Sequence, residues 1–151
     1  MARRFVARAR RHLRRNVELL RRHRPVLRFG LVSNFTPNLP FIVRETGLED
    51  VLDSVVCSDK VGLRKPDPEI FRLALADLGV DAEEAAMVGD SLVSDIMPAK
   101  TLGLTTIWIR GDRVFVGGDE TAADHVVFDL PEALEVCARG HHRHPPGGGE
   151  P

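Results

Sequence analysis

Apolar residues along this chain gather into short runs of strand length, separated by stretches of helical period. The runs are Val26–Ser33 (VLRFGLVS), Val55–Cys57, Ala85–Val88, Thr105–Ile109 (TTIWI) and His125–Phe128. Most are apolar at successive positions rather than alternating, the pattern of strands covered on both faces in a parallel sheet. Between them the spacing predicts helices. Asn16–Arg24 forms one, stopped by Pro25, and Phe41–Thr46 a second, ended by Gly47. Asp67 caps a third, with Pro68 at its first position, Phe71, Ala74, Leu75 and Leu78 on its inner face and Gly79 as its stop. Ile96–Leu102 tolerates Pro98 in its first turn, and Pro131–Ala138 closes the series. Strand and helix alternate throughout, so the fold class is α/β with a parallel sheet.

Charge changes the picture at one end only. The first 24 residues hold ten arginines and one acid, about +9, while the other 127 carry about −10. Phe5, Val6, Ala9, Leu13, Val17 and Leu20 recur among the arginines at helical spacing. A transit peptide would be Ser-rich as well, and these 24 residues hold no Ser. A basic helix without interleaved stacking aromatics is a weak nucleic-acid signal, so a surface helix packing on the sheet is the expectation. No apolar stretch approaches the roughly 18 residues of a membrane span. Cys57 and Cys137 are isolated thiols without CxxC spacing, which points to a reduced, cytoplasmic setting. The tail, residues 140–151, is rich in Pro, Gly and His and reads as disordered; its three histidines could bind a metal, but a loose Pro/Gly tail is not the expected setting for such a site.

Candidate chemistry centres on Ala86–Pro98, AMVGDSLVSDIMP. The strand stops at Gly89, and the carboxylates of Asp90 and Asp95 follow. Open α/β sheets place their ligand sites at the carboxyl ends of strands, and carboxylates gathered there suit Mg²⁺, which keeps room for water and phosphate. Ser33 and Asn34 end the first strand, and Lys65 lies in the loop ahead of the third helix. A hydroxyl and amide, a fixed cation and a metal site are the parts needed to hold a phosphoryl group and offset its charge. Each alone has a plainer explanation, as a turn serine, a surface lysine or a capping aspartate.

Three segments in order, LVSNF, VGLRKPDPEIF and VGDSLVSDI, resemble the second, third and fourth motifs of the haloacid dehalogenase (HAD) superfamily, in its phosphoglycolate-phosphatase-like branch. The resemblance covers about Asn16 to Ala138. It implies a Rossmann-like core, a three-layer α/β/α sandwich on a parallel sheet, and Mg²⁺-dependent hydrolysis of a phosphate monoester through an aspartyl-phosphate. In its terms Ser33 and Asn34 bind phosphate, Lys65 pairs nucleophile and phosphate as the catalytic lysine, Asp90 ligates Mg²⁺ and Asp95 supports the metal. The implied partner is a small phosphorylated metabolite; no membrane partner is expected, and a nucleic acid is not the favoured one.

The departure from the family is its first motif, DxDxT, which supplies the nucleophile. No aspartate precedes Ser33, and DxDxT occurs nowhere in the chain. Ser33, Lys65 and Asp90 do not replace a carboxylate nucleophile. The family's first strand also lies between those ending at Ser33 and Gly89, so its lack predicts unpaired inner edges. We therefore expect an incomplete core over residues 25–139, preceded by a cap remnant over residues 1–24. The chain would be the C-terminal part of such a hydrolase, inactive alone unless a partner chain supplies the missing strand. Two alternatives stand beside this: a metal-free 2-haloacid dehalogenase, and a non-catalytic module binding RNA or a partner chain.

Overall fold

The computed structural model describes residues 2–112 and 122–141, with side chains over 13–112 and 122–140. The Arg-rich start forms α1 (Ala2–His23), which reaches far ahead of the predicted Asn16–Arg24 because no Gly or Pro interrupts residues 2–24, and which ends before Pro25 as expected. Its exit is tight: Val26 and Leu27 both donate to the His23 carbonyl, at 3.0 and 2.8 Å. That turn takes the start of the predicted Val26–Ser33 strand, so β1 is only Gly30–Ser33. Arg24 anchors the exit to the core by donating to the Val51 carbonyl and pairing with the Asp53 carboxylate, which also accepts the Phe29 N–H. Val17 is the buried contact of α1, which packs on α2 (Leu39–Thr46) and on the last helix.

β1 pairs in parallel with β2 (Ser54–Cys57), Gly30 against Ser54 and Ser33 against Cys57. The pleat then sorts the side chains by face. Val32 and Val56 turn to α4 (Glu69–Leu78), where Ile70, Phe71 and Ala74 complete an apolar cluster. Leu31 and Cys57 turn the opposite way, to Leu39 and Val43 of α2. Between β2 and α4 the short α3 (Ser58–Val61) leads into the Lys65 loop, and the Lys65–Pro66 peptide is cis. The Asp67 carboxylate accepts the Glu69 N–H at 3.0 Å, while the helix begins at Glu69 with Pro68 as its N-cap, one residue later than the predicted start. Ile70, absent from the predicted inner face, is fully buried, whereas Leu75 and Leu78 are only half-buried.

The second sheet holds β3 (Ala86–Gly89), β4 (Thr105–Ile109) and β5 (His125–Val127), all parallel, with β4 in the middle. Ile107 faces α6 (Leu130–His141), and Trp108 faces Ile96 on the other side. α5 (Met97–Thr101) covers β4 beside it. Layers of helix, sheet and helix are thus present in both halves, as the α/β reading expected. Among the described residues no ladder joins β1 to β3, so each keeps an inner edge without a strand partner. The predicted closing helix extends past Ala138 to His141, and residues 142–151 of the expected disordered tail lie outside the described residues.

Candidate active site

The carboxyl ends of β1 and β3 each deliver a polar turn. At β1, Ser33 is followed by Asn34, both half-buried. The Asn34 carboxamide meets the main chain of Lys65 at both ends: Nδ2 donates to the Lys65 carbonyl at 2.9 Å, and Oδ1 accepts the Lys65 N–H at 2.8 Å. Such a double bond fixes both position and direction of the loop backbone. The sequence reading assigned Asn34 to phosphate; here its side chain faces the lysine loop.

Lys65 then crosses to the other sheet. Its Nζ lies 2.6 Å from Asp95 Oδ1, with side-chain exposures of 15% for Lys65 and 6% for Asp95. A charge this buried needs a partner and further hydrogen bonds. The second oxygen of Asp95 accepts the Ser91 N–H at 3.1 Å.

Local geometry aims Asp95 backwards at the strand end. After β3 the chain does not enter an α-helix directly but makes a wide π-turn over Leu92–Ile96. The Ser91 carbonyl accepts from both Asp95 N at 2.9 Å and Ile96 N at 3.2 Å, while Ser91 Oγ caps the Ser94 N–H. Such turns are rare and concentrate at functional sites. Gly89 makes the room. A Cβ placed there would lie 2.4 Å from Asp95 Cβ and 2.6 Å from its Oδ2. Gly89 therefore does more than end the strand, and a wide turn over LVSDI has no clear sequence signal.

Asp90 is exposed at the tip of β3, and its main-chain carbonyl accepts the indole N–H of buried Trp108 at 3.2 Å. That bond orients the turn and satisfies an indole that burial would otherwise leave unpaired. The donor set suits a hard dication: Asp90 offers carboxylate oxygen at the strand end, the ligand type Mg²⁺ prefers. Asp95 is engaged at both oxygens, by Lys65 and by the Ser91 N–H. Among the described residues no cluster of three His, Cys, Asp or Glu side chains is placed to hold a metal. The arrangement thus joins Asn34, Lys65, Asp95 and Ser91 in one connected line, with Ser33 at one end and Asp90 at the other.

Parallel strands between helices, with a buried lysine–aspartate pair joining the two sheets, have the architecture of a Rossmann-like core. The family model described as "Hydrolase: haloacid dehalogenase-like hydrolase" matches residues 4–103, and the chain belongs to that family. The match begins inside α1, so the Arg-rich helix is part of the family pattern. Among curated relatives, the chain is 43% identical over 94 residues to a glyceraldehyde 3-phosphate phosphatase of Pyrococcus furiosus, covering 61% of this chain and 39% of that protein. It is 39% identical over 113 residues to a phosphoserine phosphatase of Thermus thermophilus, covering 72% and 43%. Among solved structures, a HAD phosphatase of Thermococcus onnurineus superposes with a TM-score of 0.69 at 34% identity, over 79% of this chain and 54% of that one. A 2-haloacid dehalogenase of Pseudomonas syringae gives 0.69 at 30% identity, over 82% and 51%. The chain spans less than half the length of these curated relatives.

Proposed function

We propose that these residues are the part of a Mg²⁺-dependent phosphate-monoester hydrolase that holds the phosphoryl group and the metal. The observation that carries this reading is the buried Lys65–Asp95 pair, at 2.6 Å, whose Asp95 lies in the turn that follows Asp90 at the end of β3. Ser33 Oγ donates to a phosphoryl oxygen, and the Lys65 ammonium offsets charge that develops there. Asp90 holds Mg²⁺, which when bound polarises the phosphoryl oxygen. Asp95 keeps Lys65 fixed until an anion arrives. The substrate class is a small phosphorylated metabolite, in keeping with the names of the phosphatase relatives.

The attacking group is a carboxylate that this sequence lacks, since it contains no DxDxT. A strand seated between β1 and β3 would deliver that aspartate between Ser33 and Asp90 and pair both open edges. Its carboxylate would bond to phosphorus as the ester oxygen leaves, and water would then release phosphate. The 151 residues alone are therefore expected to be inactive. Two free thiols, and no described helix long and apolar enough to cross a membrane, accord with a cytoplasmic setting.

A dehalogenase reading has a specific observation behind it, the Pseudomonas syringae structure. Amide NMR of the full chain separates the two. Inorganic phosphate should shift Ser33, Asn34 and Lys65 saturably, more strongly with Mg²⁺, and Lys65→Met should abolish the effect. Saturable shifts with bromide but not phosphate, indifferent to Mg²⁺, would overturn the phosphatase reading.

A further inference from the structure

The side chain of Asn34 makes two hydrogen bonds to the main chain of Lys65. Lys65 lies in a loop, not on a strand or helix, and its side chain must span from the β1–β2 sheet to Asp95 of the β3 sheet. A four-carbon stem of this kind loses rotamer entropy when held in place. What limits the loss is a fixed starting point. The Asn34 carboxamide provides it, donating to the Lys65 carbonyl at 2.9 Å and accepting the Lys65 N–H at 2.8 Å. The side chain thus acts as one more strand residue, pairing with the loop main chain at the end of β1. At the far end Asp95 is itself held by Ser91 N–H and by close contact with Gly89. Both ends of the lysine are therefore anchored, one on each sheet.

We propose that Asn34 is a positioning residue: its carboxamide clamps the Lys65 main chain so that the ammonium is held at Asp95, at the mouth between the two sheets. The catalytic meaning of the clamp rests on the phosphatase reading above; the clamp itself does not. Asn34 follows Ser33 directly, so the clamp sets the distance from the phosphate-holding hydroxyl to the charge-offsetting lysine. No ligand is needed for it to form.

The chain has three lysines, Lys60, Lys65 and Lys100, which makes amine reactivity a clean readout. Lys60 is exposed, and Lys100 is exposed and pairs with Asp124 at 3.1 Å. The full chain is pulsed with limiting acetic anhydride, and acetylation at each lysine is read by peptide mass. In the wild type Lys65 should label slowest. In Asn34→Ala its rate should rise to that of Lys60 while the Lys60-to-Lys100 ratio stays constant. Asn34→Asp keeps the acceptor for the Lys65 N–H and loses the donor to its carbonyl, so Lys65 should fall between.

Full protection of Lys65 in Asn34→Ala, with protection lost in Asp95→Asn, would overturn the proposal. So would a rise at Lys100 equal to that at Lys65, which would make Asn34 a support of the whole fold rather than of the lysine. Added inorganic phosphate should slow Lys65 labelling further in the wild type. That arm tests the phosphatase reading and can fail while the clamp stands.

Discussion

At the scale of single residues, the site depends on atoms that are absent as much as on those present. Gly89→Ala would place a methyl 2.4–2.7 Å from three Asp95 side-chain atoms, so the carboxylate or the π-turn must move. Overpacking of this kind costs about 1–3 kcal/mol. Urea unfolding should show that loss, while Gly140→Ala, in an open position on α6, should be neutral or slightly stabilising. Lys65→Met leaves the buried Asp95 carboxylate without its cation and should cost about 3 kcal/mol or more. Adding Asp95→Leu should return most of it, since no charge then remains unpaired. The places of Ser33 and Asp90 were legible in the sequence, because each sits at the end of an apolar run of strand length. The Asn34 clamp and the Gly89 contact were not, because both depend on which residues meet across some thirty positions of chain or a rare turn.

At the scale of elements, the outer strands are locked by their own polar contacts. Thr106, fully buried at the start of β4, donates both N–H and hydroxyl to the Asp124 carboxylate, at 2.8 and 2.7 Å. Asp124 N–H returns a bond to the Thr106 carbonyl at 3.1 Å, which fixes the register ahead of β5. The Thr106 side chain, then its N–H, with help from Lys100, hold the Asp124 carboxyl at about 2 against an ordinary 3.8. Its folded value lies below its unfolded one, so the group stabilises fully above about pH 4. That contribution is lost as pH falls from 3.8 towards 2. The stability difference between wild type and Asp124→Asn should accordingly shrink over that window, as followed by unfolding across pH. Strand and helix identities were legible here, since TTIWI and the Gly stops are local signals. Boundaries were less so: β1 lost its first four predicted positions to the exit turn of α1, a contact no periodicity reveals.

At the scale of the molecule, two parallel half-sheets face each other with open inner edges, tied by the Asn34–Lys65–Asp95 line. The apolar runs GLVS and AMVG have the composition of strands covered on both sides, yet Leu31, Val32, Met87 and Val88 are only half-buried. β4, flanked by strands on both edges, buries Thr106, Ile107 and Trp108. Among the described residues the two strands with an open inner edge, β1 and β3, are thus also less buried than β4. The α/β class with parallel strands was legible at this scale, because apolar runs of strand length alternate with stretches of helical period along the chain.

Hydrolysis of p-nitrophenyl phosphate by the pure chain, alone and with an apolar strand peptide ending in DxDxT, tests the central claim most directly. Background rates are expected for the chain alone. With the peptide, turnover is expected that requires Mg²⁺, the first aspartate of the peptide and Lys65. Turnover by the chain alone, or peptide-driven turnover that survives Lys65→Met, would contradict that claim.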